Sequence, residues 1–110
     1  VLQQSYQNWE LIIVDNNKNN DVLKVIERKK NKRIKYFKIK NKGIIGMSRN
    51  LGIKKSKNAW IAFLDSDDTW YKTKLYEIVR IIQTGSVDFI YHNMHSYSEK
   101  KSIFNKKLYH

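Results

Sequence analysis

Apolar positions along the chain fall into two kinds of run. Three runs are continuous and short: WELIIVDN (9–16), AWIAFLD (59–65) and VDFIYHN (87–93). Unbroken apolar stretches of this length, bounded by polar residues, suit strands buried on both faces of a parallel sheet. The other runs are periodic. Val22, Val25 and Ile26 repeat at helical spacing behind a polar turn (16–21) in which Asn20 or Asp21 can cap the helix, and the run ends in RKKNKR, cations at the end that the helix dipole favours. RIKYFKIK (33–40) alternates, with Ile34, Tyr36 and Lys38 on one side and Lys35, Phe37 and Ile39 on the other, which predicts a strand near a sheet edge. Residues 44–55 predict a helix with Ile44, Met47 or Ser48, and Leu51 inward, closed by Asn58 in the left-handed conformation. In 69–85, Leu75, Ile78, Val79 and Ile82 fall at i, i+3, i+4 and i+7, and Gly85 ends the helix.

The predicted order is β-α-β-loop-α-β-α-β, an α/β chain with a mostly parallel sheet. In such sheets ligands bind beyond the carboxyl ends of the strands. Two of the predicted strands end in acids: Asp15 after LIIV, and Asp65, Asp67 and Asp68 after IAFL. Parallel strands would bring both ends to one edge, and that edge is the first functional candidate.

Composition sharpens the question. The net charge is +12, so the acids are crowded into a basic chain. A balance of this size attracts polyanions, whether nucleic acid, an acidic membrane surface or phosphorylated ligands. A genome rich in Lys, Asn and Ile codons would produce the same bias. Lys greatly outnumbers Arg, the usual bidentate reader of bases, which argues against specific nucleic-acid recognition. Cysteine is absent, which excludes disulfides and thiolate metal sites. No apolar run approaches the roughly 20 residues of a membrane span. VLQQSYQNWE carries neither the basic nor the long apolar region of a signal peptide, and it reads as the interior of something longer.

Carboxylates clustered at one strand end repel unless protonated or neutralised by a cation. Hard oxygen ligands suit Mg²⁺ or Mn²⁺. Mg²⁺ takes one or two protein carboxylates and leaves room for phosphate oxygens and water. A metal–diphosphate complex would explain both the acids and part of the basic surround. The competing reading is that Asp67, Asp68 and Thr69 only cap the following helix.

QQSYQNWELIIVDN (3–16) and NKGIIGMSRNLGIKKSKNAWIAFLDSDDTW (41–70) resemble glycosyltransferase family 2, inverting nucleotide-sugar transferases of the GT-A fold. The family pattern runs roughly S-V-L-x-Q-T-Y-x-N-x-E-I-I-V-D-D-G-S-T-D, then N-x-G-x-x-x-A-R-N, then A-x-G-x-Y-I-x-F-L-D-S-D-D. The likeness covers about residues 1–93. It implies a Rossmann-like, nucleotide-sugar-binding half of a GT-A domain over 1–95, with 96–110 as a basic tail or the start of an acceptor-side region. It also implies that Asp15 and Asn16 contact the nucleotide base, that Arg49 of the Arg49–Asn50 pair and the D-x-D of Asp65 and Asp67 bind the nucleotide sugar, and that Asp67 and Asp68 hold the divalent metal, Mn²⁺ or Mg²⁺. Three positions depart from the pattern: Asn16 replaces the second Asp of V-D-D, the G-S-T-D loop has become NKNN, and Asn58 stands for a Gly.

The resemblance further implies that the family's central first strand should precede residue 1, and that the general base should follow residue 110, so no catalytic base is expected within the chain. Without that strand two apolar strands lose backbone partners. Each unmade buried hydrogen bond costs about 1–3 kcal/mol, so these residues alone are expected to be unstable or rearranged. The implied parent is a glycosyltransferase moving sugar from a UDP- or GDP-sugar to a glycan or lipid-linked acceptor in surface polysaccharide synthesis, on the cytoplasmic side of the membrane. The alternatives are a truncated remnant that only binds nucleotide, and a polyanion-binding α/β module.

Other features weigh less. His92 and His95 have a metal-ligand spacing, but no Cys or Glu completes a site. Trp70, beside the acids, is the best candidate among the tryptophans for sugar contact. The run ERKKNKRIK (27–35) is either a solvated helix end or a dock for anionic lipid.

Overall fold

A computed structural model of the chain describes residues 1–96, so the predicted tail, apart from Ser96, lies outside the described residues. The elements run β1 (Leu11–Asp15), α1 (Asp21–Lys29), β2 (Ile34–Lys38), α2 (Ile45–Lys55) and α3 (Lys74–Ile82). β1 and β2 form a parallel two-stranded sheet in which Leu11 pairs with Ile34 and Asp15 with Lys38. The fold class is the predicted one, α/β with parallel pairing, and α1 is the crossover that parallel pairing demands.

Local chemistry explains the helix ends. α1 begins after Asn20, with Asp21 in its first turn, and stops where Lys30 turns left-handed at φ 46°. Its inward residues are Val22, Leu23 and Ile26, and Val25, expected inward, is 53 % exposed. α2 presents Ser48, Leu51 and Gly52 to the sheet, while Ile44 faces solvent. A Cβ placed on Gly52 would lie 3.7 Å from a Val14 methyl, so glycine lets helix backbone approach β1 closely. The α2 end differs from expectation. Ser56 closes it in extended backbone, its N–H donating to the carbonyls of Gly52 and Ile53, and Asn58 is not left-handed. Asn58 instead donates its amide to Glu10 at 2.9 Å. α3 carries the predicted stripe of Leu75, Ile78, Val79 and Ile82, each half-buried, and ends before Gly85, whose φ of 70° is glycine's to adopt.

Two predicted strands are absent. Residues 59–65 and 87–93 form no ladder with any described strand. Trp60, Ile61 and Phe63 are 40 %, 40 % and 53 % exposed, and Phe89 and Tyr91 more so. The physical reason is pairing. An apolar run states that a segment is to be buried, but a strand exists only where another backbone answers its N–H and C=O groups. β1 has β2 beside it, and no described strand lies on its other edge.

No apolar side chain among the described residues is fully buried. The buried ones are polar: Gln4, Asp15 and Asn41. With so little apolar surface removed from water, hydrophobic burial contributes weakly. A thermal melt of these 110 residues by themselves is expected to be broad. A sharp two-state transition, identical by far-UV and near-UV ellipticity, would contradict this.

Candidate donor site

The candidate site lies at the carboxyl end of β1, beside the acidic loop. β1 delivers Asp15 as its last residue, and Asn16 follows. Asp15 is 5 % exposed, with an internal donor on each carboxylate oxygen. One oxygen accepts the Asn17 backbone N–H at 2.9 Å and the other accepts the Tyr36 hydroxyl at 2.8 Å. Tyr36 pairs with Ile13 in the parallel register, on the β1 face that also carries Asp15, so its ring reaches one pleat forward. Burial alone would raise the Asp15 carboxyl, but the Asn17 N–H, the Tyr36 hydroxyl and the charge of Lys38 outweigh it and hold it below the usual carboxylate range. The same contact raises Tyr36 above the ordinary phenol, reinforced by desolvation, so its proton stays in place.

Asn16 is exposed and borders a cleft of about 270 Å³ together with Asp15, Val22 and Ser66. Ser66 lies inside the DSDD segment, so the cleft joins the end of β1 to the acidic loop. Ser66 thus brings the acidic loop beside the end of β1, although residues 59–65 form no strand parallel to it. Within the loop, the Asp68 N–H donates to the Asp65 carbonyl at 3.1 Å and tightens the turn. Arg49, on α2, donates to both Asp65 oxygens at 3.0 and 3.2 Å. Its guanidinium also stands 5.9 Å from the Phe63 ring. Both partners are about half exposed, so the pair fixes geometry more than it stabilises. The carboxylates of Asp67 and Asp68 have no hydrogen-bond or ion-pair partner among the described residues.

The donor set can be tested against a divalent ion. Among the described residues no three His, Cys, Asp or Glu side chains converge on a point. Two unpartnered carboxylates in one turn are nevertheless the number of protein ligands that Mg²⁺-type ions take when diphosphate and water complete the shell. Asp67 and Asp68 therefore fit an open site and not a self-sufficient cage.

Sequence reasoning missed the polar residues that hold this edge together. Asn41 is 6 % exposed. Its carbonyl oxygen accepts the Gly43 N–H at 3.0 Å and the Asn16 amide at 3.1 Å, and its own amide donates to Ser48 at 2.9 Å. Gln4, 3 % exposed, donates to the Tyr71 carbonyl at 2.8 Å and accepts the Leu75 N–H at 2.9 Å, capping α3 from the start of the chain. At the opposite edge of the sheet, Glu10 binds Lys35, the Lys57 N–H and the Asn58 amide. Lys35 first, then the Lys57 N–H, lower the Glu10 carboxyl. Trp70 is half-buried against the first four residues and Lys72, around a hollow of about 320 Å³. The N-x-G spacing at 41–43 was a visible signal for an Asx turn, whereas nothing in the local sequence marked Gln4 or Glu10.

Comparison with known proteins adds an independent line. The family described as "Glycosyl transferase family 2" matches residues 1–109. An uncharacterized glycosyltransferase, RC0461, of Rickettsia conorii is 40 % identical over 91 % of this chain, which spans 17 % of that protein. The Escherichia coli UDP-Glc:alpha-D-GlcNAc-diphosphoundecaprenol beta-1,3-glucosyltransferase WfaP is 40 % identical over 93 % of the chain and 40 % of its own length. The putative teichuronic acid biosynthesis glycosyltransferase TuaG of Bacillus subtilis is 34 % identical over 81 % of the chain and 36 % of its own length. The chain thus spans less than half of each of these relatives. No solved structure matches.

Proposed function

The chain belongs to glycosyl transferase family 2, and from that premise we propose that it carries the donor-binding part of a metal-dependent glycosyltransferase. The observation that supports this most is the shared cleft: Asp15 and Asn16 at the end of β1 border it, and so does Ser66 of the acidic loop. The base of a nucleotide sugar lies against Asp15 and Asn16. Arg49 and Asp65 orient the sugar nucleotide, and Asp67 and Asp68 face its diphosphate. A divalent ion held there, Mn²⁺ or Mg²⁺, supplies Lewis-acid neutralisation of the leaving group. The acceptor hydroxyl attacks the anomeric carbon in line, with inversion. The base that deprotonates it belongs to residues beyond this chain. The donor is of the UDP- or GDP-sugar type, and the acceptor is a glycan or a lipid-linked sugar, as the name of WfaP states for that protein. Such an acceptor puts the reaction at the cytoplasmic face of a membrane during surface polysaccharide assembly. No helix among the described residues is long and apolar enough to cross one, and the Lys-rich surface is suited to peripheral contact with anionic lipid.

Calorimetry with UDP and with GDP, each with and without Mn²⁺, tests this on the full reading frame that carries these residues. Binding that appears only with metal is the expected result. Binding of UDP and inorganic polyphosphate alike, indifferent to metal, would favour a polyanion-binding module. Nucleotide binding without sugar transfer or donor hydrolysis would favour a remnant that only binds.

A further inference from the structure

Asn16 replaces a carboxylate with a group that has two different faces. A carboxylate offers an acceptor whichever way it turns, but a carboxamide offers C=O one way and NH₂ the other. Left free, Asn16 would present either face to a ligand and select nothing. It is not left free. The Gly43 backbone N–H meets the Asn41 side chain at 3.0 Å, and a backbone donor can meet only the oxygen. The same Asn41 oxygen faces Asn16 at 3.1 Å, so the Asn16 atom turned toward it is the nitrogen. Reversing Asn16 would set oxygen against oxygen. Asn41 could not follow, because reversal would turn its NH₂ onto the Gly43 N–H. Asn41 is buried and its nitrogen is anchored on Ser48 at 2.9 Å, so it cannot swing away. The backbone locks the arrangement, with Lys42 at φ 51° and Gly43 at φ 80° forming the turn.

We propose that Asn41 is a positioning residue for base recognition: it holds the Asn16 carboxamide with its nitrogen inward and its oxygen as the acceptor left for the cleft, so that the cleft selects a nucleobase with a ring N–H, of the uracil or guanine type, over cytosine. The inference rests on the donor-site reading above. Asp15 is the less available of the two acceptors, because it is 5 % exposed and each of its oxygens already accepts an internal donor, whereas Asn16 is exposed at the cleft. Cytosine presents a ring acceptor where uracil presents its N3–H, and two acceptors face to face repel.

The test is calorimetry in Mn²⁺ on the full reading frame, with UDP, CDP and N3-methyl-UDP as probes. UDP is expected to bind about 10-fold or more tighter than the other two, because a site built around one hydrogen bond rejects ligands that cannot make it. In Asn41→Ser the hydroxyl still accepts the Gly43 N–H, preserving the turn, but it is too short to reach Asn16. The gap between UDP and CDP is expected to fall to about 3-fold or less there. Asn41→Asp keeps an acceptor toward both Gly43 and Asn16 and retains the gap. A residue that merely stabilised the loop would weaken all three probes equally. Equal binding of UDP and CDP by the unaltered protein, or an undiminished gap in Asn41→Ser, overturns this inference alone. Absence of binding by every nucleotide overturns the donor-site reading and this one together.

Discussion

Asp67→Asn, and separately Asp68→Asn, are each expected to cut Mn²⁺-dependent UDP affinity roughly 100-fold or more, given that even an outer partner of a metal ligand is worth about 10–100-fold. The substitution is nearly isosteric, so the turn survives and far-UV ellipticity should not change. What is lost is charge. A carboxamide oxygen is a poorer ligand for a hard dication than a carboxylate, and it cannot neutralise it. Asp65→Asn should cost less in direct ligation, because both Asp65 oxygens already accept from Arg49. The expected order of effect therefore sets Asp67 and Asp68 apart from Asp65, although the three lie within four positions. Unchanged Mn²⁺-dependent affinity in both asparagine variants would remove the metal assignment.

Acid is expected to dismantle the same edge. Asp15 and Glu10 both titrate below the ordinary carboxylate in the folded chain. An unfolded chain therefore binds more protons than the folded one as pH falls, and stability falls with it. The contribution of these groups is fully present above the ordinary carboxylate pKa of about 4 and is lost as pH drops through their lower folded values. Urea midpoints of the full reading frame should be level from neutral to mildly acidic pH and fall below about pH 4.5. Tyr36→Phe separates Asp15 from the other acids. It removes one donor from a buried carboxylate and should lower the urea midpoint at neutral pH. Once Asp15 is protonated that difference should shrink, since a neutral carboxyl gains less from the hydroxyl. A gap between wild type and Tyr36→Phe that stays constant from pH 7 to pH 3 would detach Tyr36 from the charge of Asp15.

What could be read from the residues depended on whether they act locally. α1, α3 and β2 were legible because a 3.6- or 2-residue period is a property of the segment itself, and β1 because its continuous apolar run has a ladder partner in β2. The acidic loop was legible because charge crowding is costly without a partner. Residues 59–65 and 87–93 were misread as strands because hydropathy reports a demand for burial and not the presence of a ladder partner. Asn58 was misread because a left-handed preference yielded to a tertiary bond with Glu10, 48 positions away. Asn41, Gln4 and Tyr36 escaped for a related reason. A buried polar residue in a loop or on a strand looks, in sequence, like any solvated one, and only the fold shows what it holds.

The Gln4 contact has a consequence for the order of assembly. Its acceptor bond to the Leu75 N–H joins positions 71 apart, and the Ser5 N–H adds a second link to the Lys72 carbonyl at 2.9 Å. Closing a loop of that length costs about 4 kcal/mol in chain entropy, before any constant term. Local contacts within α1, and the β1–β2 pairing it spans, face a much shorter closure. During synthesis residues 1–5 leave the ribosome before the acidic loop and the start of α3, and find their partners only after those have followed. The link between residues 4–5 and the start of α3 is therefore expected to form late in folding. Until then the first turn of α3 lacks its cap and the opening segment its anchor. A chaperone that holds nascent chains has that interval in which to act.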